Sequence, residues 1–194
     1  MKKTLVFATG NPNKVREVRE LIGEEYELKS LKDIGCEEDI PETEPTLEGN
    51  ALLKARYVKE HYGLDCFSED TGLEIHALNG EPGVYTARYA GAEKDPQANM
   101  DKALRLLQDK DDRSAQFRTV VALIMDGKEH LFEGVAKGTI AKEKLGEKGF
   151  GYDPVFVPAG HGQSFAQMDA DLKNSLSHRG KAIKKLQAFL QQKQ

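Results

Sequence analysis

The chain has 194 residues, of which 39% are hydrophobic and 31% are charged, and its formal net charge is −4. This length favours a single domain, and the apolar content is sufficient for a core. The two signs of charge are interspersed without a basic stripe, which argues against duplex nucleic acid as a partner. No apolar run is long enough to cross a membrane. The only cysteines, Cys36 and Cys66, favour reduced thiols in a cytoplasmic protein over a disulfide framework.

Strands and helices are predicted to alternate along the first part of the chain. The apolar run 4–8 predicts a buried strand. A helix follows and ends at Gly23, and its apolar face is formed by Val15, Val18, Leu21 and Ile22. A weaker strand is predicted over residues 26–31, and the acidic, proline-containing segment 33–45 is predicted to be a loop.

The middle of the chain is predicted to hold two helices and two short strands. Thr46 is a favourable N-cap for a helix that ends at Gly63. Residues 66–68 and 73–78 indicate strands with a polar turn between them. Asp95, which is followed by a proline at the first helical position, predicts the start of the next helix.

A β-hairpin and a last helix are predicted towards the C-terminus. The β-rich runs 116–125 and 129–140 flank the dipeptide Asp126-Gly127, which is a strong signal for a two-residue hairpin turn. A short strand is predicted at 155–157, and Ser177 is predicted to cap the final helix. This order of elements predicts an α/β fold with a mixed sheet.

A polar segment connects the first strand to the first helix, with the sequence Thr9-Gly10-Asn11-Pro12-Asn13-Lys14. Backbone N–H groups at a helix start attract anions, and the side chains of Thr9, Asn11 and Lys14 add donors and a positive charge. The segment therefore suits phosphate. An ordinary turn with a capping asparagine explains the same residues equally well, and the P-loop pattern is absent from the chain.

Two adjacent carboxylates, Glu69 and Asp70, are candidates for binding a hard cation such as Mg²⁺. One of them could also orient an attacking water molecule. Glu42 is a further candidate ligand, and Lys54 lies on the helix that begins near Thr46. For each of these residues a solvated surface position is the simpler alternative.

Two later motifs suit a nucleoside. Glycines flank Phe150, so its ring could stack on a base, although a tight turn with Phe150 in the core is the alternative. His178 and Arg179 begin the last helix, where the helix dipole disfavours cations. They therefore indicate an electron-rich partner such as a purine O6 atom or a phosphate, unless they are simply exposed polar residues. Lys173 and Asn174 enlarge this group of donors.

Together these motifs resemble the inosine triphosphate pyrophosphatase family, over nearly the whole chain. Six segments carry the resemblance in this order: Thr9-x-Asn11-x-x-Lys14, Glu48-Gly49-Asn50-Ala51-Leu52-Leu53-Lys54-Ala55, Ser68-Glu69-Asp70-Thr71-Gly72-Leu73, Pro82-Gly83-Val84-Tyr85-Thr86-Ala87-Arg88-Tyr89-Ala90-Gly91, Phe150-Gly151-Tyr152-Asp153-Pro154 and Lys173-Asn174-x-x-Ser177-His178-Arg179.

The resemblance implies a fold and a reaction. The expected fold is a single α/β domain over residues 1–194, with an elongated mixed sheet, helices on both sides, and two lobes flanking a nucleotide-binding cleft. The expected protein is a cytoplasmic homodimer that does not bind nucleic acid or membranes. The expected reaction is Mg²⁺-dependent hydrolysis of dITP, ITP, XTP and dXTP to a nucleoside monophosphate and pyrophosphate. The alternatives are a pyrophosphatase of pyrimidine or modified triphosphates, or a nucleotide sensor without turnover.

The resemblance also implies roles for individual residues. Asp70 would be the general base and a metal ligand, Glu42 a second ligand, and Glu69 a further candidate ligand. The residues at phosphate-binding positions are Thr9, Gly10, Asn11, Pro12, Asn13, Lys14, Lys54 and Thr71. The residues at nucleoside-binding positions are Phe150, Gly151, Tyr152, Asp153, Lys173, His178 and Arg179.

Overall fold

The fold begins with a parallel pair of strands, β1 (Lys3–Phe7) and β2 (Tyr26–Ser30), and helix α1 (Pro12–Ile22) connects them. The computed structural model describes residues 2–22 and 24–193. The predicted helix end at Gly23 therefore lies outside the described residues. The last three residues of β1 are completely buried, as expected for an apolar strand inside a sheet.

Six strands form one mixed sheet in the order β2-β1-β3-β4-β5-β6. The remaining strands are β3 (Cys66–Ile75), β4 (Ser114–Met125), β5 (Lys128–Ile140) and β6 (Phe156–Pro158). Strand β3 is parallel to β1, whereas β6 is antiparallel to β5. The predicted hairpin turn joins β4 to β5, because Asp126 (φ 51°) and Gly127 (φ 72°) both have the positive φ of a type I′ turn. The prediction of an α/β fold with a mixed sheet is confirmed.

The remaining helices are α2 (Leu47–Tyr62), α3 (Pro96–Leu106), α4 (Ala170–Leu176) and α5 (His178–Gln191). Thr46 caps α2 by accepting a hydrogen bond from the N–H of Gly49, at 3.0 Å. Asp95 caps α3 in the same way, with the N–H of Gln97 as donor at 2.9 Å. Both predicted helix starts are therefore confirmed. Among residues 2–22 and 24–193, no helix is long and apolar enough to span a membrane.

Strand β3 differs from its prediction. Two short strands separated by a polar turn were expected, whereas Cys66–Ile75 is one continuous strand that runs through Glu69 and Asp70. Both acids are buried inside the sheet. A strand can hold them because positively charged side chains from elsewhere in the chain compensate their charges. Residues 76–78, predicted as the end of a strand, form a 3₁₀-helix.

The chain divides into two compact units. The first comprises Met1–Asp70, Thr119–Gly134 and Arg179–Gln194, and the second comprises Thr71–Arg118 and Val135–His178. Each unit has its own apolar core. In the core of the first unit the rings of Phe7 and Phe67 stack with centroids 4.6 Å apart. In the core of the second, Phe117 packs on Phe156 with centroids 4.7 Å apart.

Candidate active site

Glu69 is the most completely compensated acid of the first unit. Its side chain is fully buried on β3, and Arg179 from α5 donates two hydrogen bonds to it: Nε to Oε2 at 2.8 Å and Nη2 to Oε1 at 3.0 Å. Lys14 Nζ lies 3.0 Å from the same Oε1 atom. Burial alone would raise the pKa of Glu69, but the charges of Arg179 and Lys14 hold this pKa well below its usual range. Glu69 is therefore a permanently ionised, fixed carboxylate.

The same arginine also binds a second acid. Arg179 Nη1 donates to Glu17 Oε2 of α1 at 2.6 Å, and Arg179 is only 3% exposed. Glu17, Arg179 and Glu69, which are buried, and the half-buried Lys14 thus form a chain of alternating charges, which we call the charge ladder. The sequence did not identify Glu17. The only signal was its position three residues after Lys14, which places both side chains on one face of α1.

The charge ladder shows which side chains contact two residues that the sequence assigned to ligands. Arg179 was expected to have an electron-rich partner such as a purine O6 atom or a phosphate, because the dipole at a helix start disfavours cations. In the structure Glu69 and Glu17 engage Nε, Nη1 and Nη2 of its guanidinium group. Glu69 was a further candidate metal ligand. Its carboxylate oxygens are bound by Arg179 and Lys14.

Asp70 lies next to Glu69 but in a different electrostatic environment. It is 5% exposed, and Lys54 Nζ lies 3.9 Å from its Oδ1 atom. Burial raises the pKa of Asp70 to about 6, and the nearby charge of Glu42 also raises it, whereas Lys54, Lys14 and a hydrogen bond from Asn50 oppose this increase. A carboxylate with a pKa close to neutral is well suited to accept a proton.

Helix α2 supplies the lysine and holds the loop that carries Glu42. Lys54 Nζ donates to Glu42 Oε1 at 3.1 Å and to the main-chain oxygen of Glu69 at 2.6 Å. Asn50, one turn earlier on α2, is buried. Its Oδ1 atom accepts a hydrogen bond from the N–H of Glu44 at 2.9 Å, and its Nδ2 atom donates to the main-chain oxygen of Glu44 at 3.3 Å. The predicted residues Glu42, Lys54 and Asp70 are therefore brought together, with Asn50 fixing the loop.

The carboxylates beside Lys54 are candidate ligands for a divalent cation. Within the part of the chain that the structure describes, no three His, Cys, Asp or Glu side chains are grouped so as to hold a metal. Two carboxylates, those of Asp70 and Glu42, remain next to one another. An ammonium group lies against both of them, which shows that this position attracts a cation. Mg²⁺ commonly uses only one or two protein carboxylates and completes its shell with water and phosphate oxygens.

The polar segment before α1 forms a capped turn. Asn11 Oδ1 accepts hydrogen bonds from the N–H groups of Asn13, at 3.0 Å, and Lys14, at 3.4 Å. Thr9 Oγ1 accepts from the N–H of Asn11 at 3.1 Å. The two side chains thus act as acceptors within the turn, and Lys14 extends from it to Glu69. All six residues of the segment are exposed or half-buried, namely Thr9, Gly10, Asn11, Pro12, Asn13 and Lys14.

The second unit holds most of the residues predicted to bind a nucleoside. Phe150 is half-buried, so it is not a core residue. Lys173 Nζ lies 4.9 Å from the centroid of its ring and donates to Asp153 Oδ2 at 2.6 Å. Asp153 Oδ2 also accepts from the N–H of Phe150 at 2.9 Å. Phe150, Asp153 and Lys173, which we call the ring platform, are therefore locked to one another.

Two other predicted residues of the second unit are buried. Tyr152 is buried, and its hydroxyl donates to the main-chain oxygen of Thr86 at 2.7 Å. The buried His178 ring stacks on Phe117 with centroids 4.5 Å apart. The hydroxyl of Tyr152 thus links the segment 149–154 to the main chain at Thr86. Thr71, which follows Asp70 in β3, is half-buried.

The fold and these side chains define an α/β protein with an acid–lysine cluster in one unit and an aromatic platform in the other. The chain belongs to the Ham1 family, whose model matches residues 5–189.

Curated relatives and solved structures agree with this membership over almost the full length of the chain. The chain is 54% identical to the dITP/XTP pyrophosphatase of Christiangramia forsetii over 186 residues, covering 96% of this chain and 98% of that protein. It is 44% identical to the dITP/XTP pyrophosphatase of Bacillus subtilis, with 97% and 98% covered. The Ham1 protein of Staphylococcus aureus has a similar structure, with a TM-score of 0.90 at 38% identity, and the match covers 99% of this chain and 100% of that one.

Proposed function

We propose that this chain hydrolyses non-canonical purine nucleoside triphosphates, namely dITP, ITP, XTP and dXTP, to a nucleoside monophosphate and pyrophosphate. The observation that carries the proposal is Asp70, a buried carboxylate whose pKa is raised to about 6 and which lies beside Lys54 and Glu42. Support for the substrate class comes from relatives at 54% and 44% identity that are named dITP/XTP pyrophosphatase.

In this reaction one group of residues binds the triphosphate and activates water. Lys14 and Lys54 attract the phosphate oxygens, together with the capped turn before α1. Asp70 accepts a proton from the attacking water, and the bond between the α- and β-phosphates breaks with release of pyrophosphate. A Mg²⁺ ion held by Asp70 and Glu42 would neutralise phosphate charge in the transition state. The residues assigned to the phosphates are Thr9, Gly10, Asn11, Pro12, Asn13, Lys14, Lys54 and Thr71.

Another group of residues binds the nucleoside in this proposal. The half-buried ring of Phe150 offers a face for a base, and stacking of a base on an aromatic ring is worth about 1–3 kcal/mol. Gly151 and the main chain next to it allow close approach, while Asp153 and Lys173 fix the ring. We assign His178 to the same group. Tyr152 and Arg179 act indirectly, through Thr86 and through Glu69 respectively.

Product analysis across a set of nucleotides tests the proposal. Purified protein with Mg²⁺ should release pyrophosphate, not orthophosphate, from ITP and XTP, and turnover of ATP, GTP and CTP should be much slower. The Asp70→Asn variant, measured in parallel, should lose most of its kcat because the amide cannot accept the proton. Preference for a pyrimidine triphosphate, or binding of ITP without any product, would refute the assigned function.

We extend the proposal to the metal, the compartment and the assembly. Mg²⁺ should restore activity after EDTA treatment better than Ca²⁺, because Ca²⁺ prefers six to eight oxygen ligands. A cytoplasmic location agrees with Cys36 and Cys66, which are both free thiols. A homodimer is expected from the family resemblance, and light scattering after size-exclusion chromatography measures this directly.

A further inference from the structure

Lys54 occupies an unusual position for a lysine that is expected to bind phosphate. Its ammonium group is almost completely buried, and the whole residue is 7% exposed. The group is surrounded by oxygens of the protein itself: Glu42 Oε1 at 3.1 Å, the main-chain oxygen of Glu69 at 2.6 Å, and Asp70 Oδ1 at 3.9 Å. Two of these three oxygens belong to the carboxylates assigned to the metal.

A divalent cation and this ammonium group cannot both use the same carboxylates in this arrangement. A metal ion bound to Glu42 and Asp70 would lie within a few ångströms of Lys54 Nζ, where repulsion between positive charges is strong in a buried environment. Conversely, the carboxylates of the buried Asp70 and the half-buried Glu42 repel one another unless a cation lies beside them. Lys54 provides that cation in the protein alone.

We propose that Lys54 is an internal counter-ion that takes the place of the metal, and that metal binding releases its ammonium group from Glu42 and Asp70 to the triphosphate. This inference rests on the proposed function, because it takes Glu42 and Asp70 as the metal ligands. It predicts positive coupling between metal and nucleotide, since the metal frees the lysine that the nucleotide needs. By linkage, the nucleotide strengthens metal binding by the same factor.

An internal counter-ion and an ordinary phosphate-binding lysine differ in how their removal changes the affinity for the metal. Removal of an ordinary phosphate ligand weakens nucleotide binding and leaves metal binding unchanged when no nucleotide is present. Removal of an internal counter-ion also weakens nucleotide binding, but it tightens metal binding, because the metal no longer competes with the ammonium group.

Direct titration with Mn²⁺ in the absence of nucleotide tests this. Free Mn²⁺ is followed by electron paramagnetic resonance at pH 8 for the wild-type protein and for Lys54→Gln. The Kd for Mn²⁺ should fall on the order of tenfold in Lys54→Gln, because a full charge about 4 Å away has been removed. The matched control is Lys59→Gln on the same helix, which removes the same charge from a pair with Asp65 at 3.0 Å. Its Kd should remain within about twofold of wild type, because Lys59 pairs with Asp65, which is not one of the carboxylates assigned to the metal.

A third variant distinguishes failure of this inference from failure of the proposed function. Asp70→Asn should weaken Mn²⁺ binding strongly. If it binds Mn²⁺ as wild type does, the metal assignment itself is wrong. If Asp70→Asn loses Mn²⁺ binding while Lys54→Gln binds no tighter than wild type, the metal site stands and the counter-ion role is refuted.

A measurement on the wild-type protein keeps the test valid if Lys54→Gln does not fold. In protein labelled with ¹⁵N-lysine, the Lys54 ammonium signal should shift on addition of saturating Mg²⁺, because its hydrogen bond to Glu42 is broken. The Lys59 signal serves as the internal reference and should not move. A Lys54 signal that is unchanged at saturating Mg²⁺ would overturn the proposal.

Discussion

Asp70 is the residue at which burial and charge have the clearest consequence for stability. Its pKa rises from an ordinary value of 3.8 to about 6, mainly because burial disfavours the ionised form. An ionised Asp70 therefore destabilises the folded state relative to the unfolded state. This cost is absent below about pH 4, grows as pH rises towards 6, and is fully present above that value.

Replacement of Asp70 by asparagine should therefore stabilise the metal-free protein at neutral pH while it removes activity. Two pKa units correspond to roughly 3 kcal/mol at most, so Asp70→Asn should melt several degrees above wild type at pH 7.5. The difference should shrink strongly at pH 4. Thermal denaturation in EDTA at both pH values measures this. An equal difference at the two pH values would mean that the carboxylate is not the cause.

Arg179 provides a second prediction at the scale of a single residue. Its removal leaves Glu69 and Glu17 buried with much less compensating charge, and such a loss typically costs about 3–5 kcal/mol. Arg179→Ala should therefore reduce the free energy of unfolding by this amount in urea denaturation. The control is Arg56→Ala, whose partner Glu129 is exposed, and it should cost less than about 1 kcal/mol.

The two roles considered for Arg179 lead to opposite results. If Arg179 read the base directly, Arg179→Ala would leave stability nearly unchanged and would reduce the preference for ITP over ATP. If it fixes Glu69, as the charge ladder indicates, stability falls and the kcat/KM values for both nucleotides fall in similar proportion. Steady-state kinetics on the two nucleotides, done with the denaturation series, separate these outcomes.

At the scale of elements, the glycine-rich segment before β6 fixes the ring platform. Gly149 has φ +74°, and a Cβ atom there would overlap Asp153 Oδ2, the atom that holds both Lys173 and the N–H of Phe150. Gly160 also has a positive φ, +80°, but a Cβ atom there would meet nothing within 4 Å. Alanine would therefore be strained by a positive φ at either position, but only at residue 149 would it also contact Asp153.

Comparison of Gly149→Ala with Gly160→Ala should separate the effect of a displaced ring platform on substrate binding from the effect of backbone strain on stability. Gly149→Ala should raise KM for ITP by about fivefold or more, because a displaced ring loses a stacking energy of about 1–3 kcal/mol, while kcat changes less. Gly160→Ala should leave KM near wild type although it loses comparable stability. Equal KM values for both variants would remove the platform from substrate binding.

The elements predicted correctly are those with local signals. The caps at Thr46 and Asp95 and the turn at Asp126-Gly127 act through neighbouring residues, so their patterns are visible in a short window. Strand β3 was interrupted in the prediction because Glu69 and Asp70 look like a polar turn. The residue that makes Glu69 acceptable inside a sheet, Arg179, lies 110 positions away. Helix α4, with seven residues, is too short for its period to be recognised.

At the scale of the whole molecule, the site too combines residues that have local sequence signals with contacts between residues far apart in the chain. Motifs identified Glu42, Lys54 and Asp70, and the fold brings these three together. Their ionic partners could not be assigned from motifs, because pairing depends on which elements meet in space. Glu17 was missed for this reason, and the ion pairs of Arg179 with Glu17 and Glu69 were not predicted.

The strands that cross from one unit to the other lead to the last prediction. Residues of β3, β4 and β5 are divided between the two units, so neither unit can lose its strands without breaking strands of the other. Unfolding in urea should therefore occur in one transition. Cys66, completely buried and with its pKa raised to about 12 by burial, reacts with thiol reagents only when the first unit opens.

Thiol labelling of Cys66 and amide hydrogen exchange of β6 in the second unit should therefore give the same urea midpoint. Cys36, which is also buried, is replaced by serine so that the label reports one site. The matched reference is the exchange of β1 in the first unit, which should follow Cys66. A β6 midpoint clearly below the Cys66 midpoint would show that the second unit opens alone. The shared strands would then not couple the two cores.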